Sequence, residues 1–337
     1  MSESKKKYLS EFAVNLFSSR WLMTSASQFM TGGTMGGQEK EVANNCHIYF
    51  IGKTPIVSYS KESFKYEDGV LSGKINYRIE GELREKDFSF EFPLLDGATK
   101  VTLSKYPHRE IITLDENNNE VRYLPASTVC FGTGWHLKNN ELSDIEILYV
   151  GQAYADGKRT AFERLKSHST LQKILAQAQY ESPDYEIQIL TFEYCPYRVI
   201  SQMDGRAENV ISDYRDMDRF RSIMDNHLST YEQICLIEAG LIRYFQPRYN
   251  AIYKDNFPSD KHKILESCYN LDFSGLIVEI NSEELRFRLF SPTVKARGHH
   301  ICQIDLLDPE KRWGFFHYGR GDGTFFKSPE VITKKSS

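Results

Sequence analysis

The sequence predicts an α+β fold in which a small central α/β module is set between two β-rich flanks. Three observations carry this expectation. Ile75, Tyr77 and Ile79 alternate with polar residues, as do Phe88, Phe90 and Phe92; after residue 258 so do Leu276, Val278 and Ile280, and then Leu285, Phe287 and Leu289. A period of two in β-branched and aromatic residues marks half-buried strands. Between these flanks the pattern changes. The run 145–151 is apolar and ends in Gly151, as a buried strand leaving into a loop does. Finally, Ile234, Ile237, Leu241 and Phe245 recur at helical spacing behind Ser229 and Glu232, a capping-box pair, and Pro247 stops the helix.

In chain order, residues 1–45 read as a polar start, one surface helix near 8–30 and a flexible linker. Glu11, Asn15 and Arg20 interrupt the apolar residues of that helix and exclude a membrane span. The Gly-rich stretch 31–37 lacks the Lys and hydroxyl residue of a phosphate-binding loop. Residues 46–126 form a β-rich domain. Residues 127–258 form the central module, with a further strand near 185–194 and a helical insertion near 195–228. A β-rich region covers 259–332, and 333–337 is a tail.

The net charge is −4, so any binding of nucleic acid rests on a local basic surface rather than on the charge of the whole chain. The six cysteines, Cys46, Cys130, Cys195, Cys235, Cys268 and Cys302, show neither metal-finger nor redox-pair spacing. Free thiols in a reducing cytoplasm are expected. His299, His300 and Cys302 lie close together, but adjacent residues of a strand point to opposite faces and would not share one ion.

The chemistry-bearing residues cluster in the centre. Tyr149, Val150 and Gly151 end the apolar strand. Thr160 and Glu163 have capping-box spacing, so a helix starts near 161 with Arg164 in its first turn and His168 one turn later. Lys158, Arg159 and Lys166 add positive charge at a helix end that itself attracts anions. Glu238 falls at the margin of the apolar helix face, where a carboxylate either takes a cation or arginine as partner or reaches out to solvent. Gln246, Pro247, Arg248, Tyr249 and Asn250 then return the chain toward the same region. Arg198, Arg206, Arg215, Arg219 and Arg221 mark the insertion. They suit either the nucleic-acid backbone or a helix laced with ion pairs.

Taken in order, Tyr149-Val150-Gly151, Arg164 with His168, Glu238, then Pro247 and Asn250 resemble the GIY-YIG nuclease family over residues 127–253. The leading Gly-Ile-Tyr is absent from this stretch. Its best counterpart is 129–132, where Phe131 stands in place of Tyr. Arg159 is the second choice for the family's arginine.

The resemblance implies a three-stranded sheet with helices and metal-dependent hydrolysis of DNA phosphodiesters; restriction or phage defence, repair and mobile-element transfer all use such a module. Its catalytic set would be Tyr149, Arg164, His168, Glu238 and Asn250, with Glu238 holding Mg²⁺ or Mn²⁺. Lys158, Arg159, Lys166 and Arg248 would contact the nucleic acid. Asn250 would bond Tyr149 or the metal shell. The expected partner is double-stranded DNA, with no membrane, and homo-oligomers are open. A second reading keeps the fold without the activity, as a DNA-binding or oligomeric scaffold.

Overall fold

The computed structural model describes residues 7–31, 36–131, 140–154, 165, 169–208, 210–308 and 312–334. The chain is mixed α+β, with a nine-stranded sheet at its centre. The first strand, β1 (Ser10–Ser25), occupies the segment where a surface helix was expected. Pairing on both edges explains the difference. Its first half lies between β12 (Arg198–Met203) and β13 (Gly275–Asn281), and its second half pairs with β11 (Tyr185–Tyr194). Phe12, Val14 and Leu16 enter the main core while Ala13 faces the other side, the period of a strand. The three polar residues that suggested a surface helix all have partners. Buried Glu11 accepts from Arg219 and Arg312, Asn15 donates to Glu279 at 2.6 Å, and Arg20 pairs with Glu193 and Glu41.

After the short helices α1 (Ala26–Thr31) and α2 (Gly37–Asn45), β2 (Ile48–Pro55) enters the same sheet. The strand next to it, β10 (Asp144–Gln152), comes only after a long excursion. That excursion is a β-rich module. It holds β3 (Val57–Tyr59), β4 (Lys65–Glu67), β5 (Val70–Ile79) and β6 (Glu82–Glu91) in one sheet, and β7 (Lys100–Leu103), β8 (Glu110–Leu114) and β9 (Glu120–Pro125) in another. Two short helices, α3 (Ala126–Phe131) and α4 (Asn140–Ser143), follow. Leu71, Ile75, Phe88, Ile111 and Val129 share its separate core. The β-rich region therefore starts near residue 56 rather than 46 and is inserted between two neighbouring strands. Of the strand expected at 129–132, residues 129–131 are instead the end of α3, and Gly132 lies outside the described residues.

The central sheet runs β15-β14-β10-β2-β11-β1-β13-β16, with β14 (Arg288–Ser291), β15 (Val294–Arg297) and β16 (His299–Asp305) supplied by the C-terminal region. That region is thus not a separate flank, and its strand near 285–289 starts at Arg288, after a turn of 3-10 helix at Glu283–Leu285. A last hairpin joins β17 (His317–Gly319) to β18 (Phe325–Lys327). Helices complete the layers: α5 (Ser169–Glu181), α6 (Tyr214–Asp225), α7 (Thr230–Phe245) and α8 (Glu266–Asn270). The insertion near 195–228 accordingly holds strand β12 as well as helix α6.

α7 packs its apolar side on one face of the sheet, against Phe50, Val150, Val278 and Ile304. α5 covers the other face, where Leu171 and Ile174 meet Ile51, Ile187 and Ile189. No helix among the described residues is long and apolar enough to cross a membrane.

Candidate active site

Strands β2 and β10 pair antiparallel, with Tyr149 opposite Ile51, Val150 opposite Phe50 and Gly151 opposite Tyr49. A bulge lies between Ile147 and Tyr149. Ile147 and Val150 face α7, whereas the two residues between them, Leu148 and Tyr149, both face the α5 side. Strict alternation would have sent Tyr149 into the α7 core, so the bulge re-aims it. It lands beside Tyr49, with ring centroids 6.1 Å apart. Gly151 makes this possible. A Cβ at that position would lie 2.5 Å from Tyr49 Cζ, 2.6 Å from its Oη and 2.8 Å from Tyr149 Cε1. The Tyr-Val-Gly triplet therefore has a physical reason: the glycine is the floor on which two tyrosine rings sit. Tyr49 is fully buried and Tyr149 half-buried.

On the opposite face, α7 starts with the expected capping box. Glu232 N donates to Ser229 Oγ at 3.3 Å, and Ser229 N donates to Glu232 Oε2 at 2.7 Å. Gly240 lets the helix close on β13, because a Cβ there would meet Val278 Cγ2 at 2.9 Å. Ile234, Ile237, Leu241 and Phe245 are buried, while Glu238 at the margin is half-buried. Burial, and after it the charge of Glu238, raise the Tyr253 phenol above its ordinary pKa; the Cys235 thiol is raised the same way. Both groups therefore stay neutral beside the carboxylate.

The segment after α7 links the two faces. Gln246 turns the chain with φ 48°, and Tyr249 N donates to Leu148 O at 3.0 Å. Asn250 then clamps Val150. Its Nδ2 donates to Val150 O at 2.8 Å, and Val150 N donates to its Oδ1 at 2.9 Å. Tyr249 packs with the tyrosine-side cluster and Tyr253 with the α7-side cluster, so the segment crosses the edge of β10. Lys254 Nζ donates to Pro247 O at 3.1 Å and Arg243 donates to Lys254 O at 2.9 Å, closing the loop. Tyr149 and Glu238 thus belong to opposite faces of the sheet. Asn250, expected on Tyr149 or a metal shell, has its amide committed to the Val150 backbone, so it is a positioning residue.

Other expected residues fare differently. Arg248 donates to Glu181 Oε2 at 2.8 Å and lies 5.4 Å from the Tyr249 ring centroid, so contact with a nucleic acid would have to compete with an exposed ion pair. Lys158, Arg159, Arg164, Lys166 and His168 lie outside the described residues, as do Thr160 and Glu163. Leu165 is buried in the cluster that holds Tyr49. In the Arg-rich insertion three of the five arginines are ion-paired: Arg215 binds Asp213, Arg221 lies 3.7 Å from Asp218, and Arg219 joins Glu11, Asp216 and Asp272, while Arg198 lies over the Phe17 ring. His300 is buried; its Nε2 donates to Leu289 O at 2.9 Å, which leaves Nδ1 to accept from Tyr244 Oη at 3.1 Å, and burial holds its pKa down to about 4. His299 instead sits 3.1 Å from Glu279, so the two imidazoles do not converge.

Among the described residues no three His, Cys, Asp or Glu side chains converge on a metal position. Those residues therefore build no closed four-ligand site among themselves. One half-buried carboxylate does suit Mg²⁺, which keeps most of its waters and takes few protein ligands.

Tyr49 was missed from the sequence. Its signal is the run Cys46-His47-Ile48-Tyr49-Phe50-Ile51-Gly52, an apolar strand with an Ile-Tyr pair, but it lies far upstream of Tyr149. No protein-family model matches this chain, and neither does any curated protein or solved structure.

Proposed function

We propose that the protein is a metal-dependent phosphodiesterase that cleaves DNA, with its site around the edge of β10. One observation supports this above the rest: Tyr49 and Tyr149 are brought together over Gly151 on adjacent antiparallel strands. The resemblance to GIY-YIG nucleases called for two tyrosines at such a place, and His47-Ile48-Tyr49 supplies the first in place of 129–132. The helix bearing Glu238 and the Asn250 clamp on the same strand add to it.

In this reading Tyr149 orients the attacking water and accepts its proton at the phenolic oxygen. A tyrosine with a pKa of ~10 needs positive charge nearby to do so. Arg164 provides charge and pairs with the non-bridging phosphate oxygens through its forked donors. His168 donates to the phosphate. Asn250 holds the Val150 backbone and so fixes the strand that presents Tyr149. Glu238 would hold Mg²⁺ or Mn²⁺, which supplies electrostatic stabilisation of the scissile phosphate. Lys158, Arg159, Lys166 and Arg248 contact the backbone of double-stranded DNA.

Plasmid, linear and nicked DNA incubated with Mg²⁺ or Mn²⁺ test this, with Glu238→Ala and Tyr149→Phe alongside. Cleavage lost in both variants is expected. No cleavage of any DNA form by the wild type sinks the nuclease function; undiminished cleavage by Glu238→Ala removes that residue from the chemistry. The complete burial of Tyr49 favours a second reading, a module that binds DNA without cutting it. Salt-dependent binding with no metal-dependent product distinguishes that outcome.

A further inference from the structure

The inserted module does not close fully on the central sheet. Between them lies a cleft of about 450 Å³, within the size range of small-molecule sites, which favour boundaries between packed units. Trp21 and Met23 of β1 and Gln188 of β11 line the sheet side. Tyr123 and Leu124 of β9, with Ser127 and Thr128 of α3, line the module side. The two sides are tied together nearby. Ile56 N donates to Asp184 O at 2.8 Å, and Gly81 N donates to Asp184 Oδ2 at 2.7 Å. The cleft is therefore preformed, which lowers the cost of filling it.

Gln188 separates this cleft from an ordinary packing gap. Along β11, Leu190 and Phe192 enter the main core, and Gln188 is next on the same face. An apolar side chain is expected at such a position. The residue is instead an amide, 2% exposed, whose Nε2 donates to Thr54 Oγ1 at 3.2 Å. A buried amide is costly unless its hydrogen bonds are filled, and the bond to Thr54 uses only the nitrogen. An aromatic ring stands on each side of the cleft. Trp21 is braced edge-on by Phe287, with centroids 6.4 Å apart at 84°, and Tyr123 is 54% exposed. None of the described residues lining the cleft carries a charge. That argues against a phosphate, a carboxylate or an ammonium as the group recognised. Two rings, a fixed amide and two hydroxyls suit a flat, uncharged heterocycle with polar edges.

We infer that the cleft is a nucleobase-binding site, in which the base stacks on Trp21 and Tyr123 and its polar edge bonds Gln188. Two sources share this chemistry: a free nucleoside, and a base turned out of a DNA helix. Only the second rests on the proposed nuclease function.

Trp21, one of three tryptophans in the chain, supplies the readout. The full-length protein is titrated with adenosine and, separately, with a DNA duplex carrying one bulged adenine. Saturable quenching of tryptophan fluorescence is expected in at least one arm, and it should vanish in Trp21→Phe. Tyr123→Ala, at an exposed position, should keep its circular dichroism and weaken binding about tenfold, as loss of a stacking partner does. Quenching by adenosine assigns the free nucleoside; quenching by the bulged duplex but not by adenosine assigns the turned-out base. Adenosine monophosphate should bind no tighter than adenosine, because its phosphate meets no cation in the cleft. The proposal is overturned if neither probe quenches, if maltotriose quenches as well as adenosine, or if the monophosphate binds tenfold tighter. Quenching that persists in Trp21→Phe, or binding untouched by Tyr123→Ala, also overturns it. DNA cleavage is read separately. Adenosine binding without cleavage leaves the cleft standing and the nuclease function refuted; cleavage with neither probe bound does the reverse.

Discussion

Asn250 satisfies both backbone groups of Val150 with a single side-chain amide, at 2.8 Å and 2.9 Å. The amide behaves as one residue of an extra strand on the edge of β10. Asn250→Ala leaves a buried N–H and C=O without these partners, and the expected loss is about 1–3 kcal/mol. Asn250→Asp should be no better, because a carboxylate cannot donate to Val150 O. Urea unfolding of the three proteins checks this; equal midpoints would show that water replaces the amide without cost.

Gly151→Ala drives a methyl group into the Tyr49 and Tyr149 rings. Overpacking of this sort costs roughly 1–3 kcal/mol. Combining it with Tyr49→Leu should recover part of the loss, since the shorter side chain vacates the space above residue 151. A double-mutant cycle on thermal unfolding measures the coupling. Strict additivity of the two changes would mean that the rings and the glycine do not share that space.

Glu11 is fully buried and held by Arg219 and Arg312, which also share Asp272. Arg312→Met leaves Glu11 with one cation in the interior. Breaking a buried pair from one side costs on the order of 3–5 kcal/mol. The Glu11→Gln/Arg312→Met double variant should be more stable than Arg312→Met alone, because Arg219 then no longer has both Glu11 and Asp272 to neutralise. Denaturant titration at constant pH distinguishes the two cases.

Asp305 sits at the end of β16, fully buried, with its Oδ2 3.5 Å from His317 Nδ1. Burial raises its carboxyl to about 7. The folded chain therefore holds this proton more tightly than the unfolded chain, in which an aspartate titrates near 4. The stabilising contribution is complete below that pH and is lost as pH rises through about 7. Asp305→Asn should flatten the stability profile across this window. An unchanged slope between wild type and variant would show that another group titrates there.

Local patterns made parts of the molecule readable. Ser229, Glu232, Pro247 and the apolar spacing defined α7 because a helix is specified by its own residues. The alternations at 75–79, 88–92 and 276–280 became β5, β6 and β13 for the same reason. What escaped was non-local. β1 reads as an amphipathic surface segment until its edges are paired by three different strands and its polar residues by distant charges. Tyr49 escaped because nothing in its neighbourhood announces that its partner is Tyr149. Glu238 is half-buried on α7, but that the chain from Tyr249 to Tyr253 crosses the edge of β10, between the faces that hold Glu238 and Tyr149, is written in no local pattern.

The inserted β-rich module also bears on how β2 and β10 come together. Its own core gives it the means to fold before the central sheet does. Until then β2 and β10 are the ends of a long floppy loop, whose closure is entropically unfavourable and slow. Once the module has formed, its two ends lie side by side, and Lys53 needs only to meet Glu146 for the strands to zip toward Tyr49 and Tyr149. The expected consequence is that the inserted module assists the pairing of β2 with β10. Loosening the module's core with Leu71→Ala should slow recovery of native β2–β10 protection in hydrogen-exchange refolding, although Leu71 belongs to a different hydrophobic core from either tyrosine.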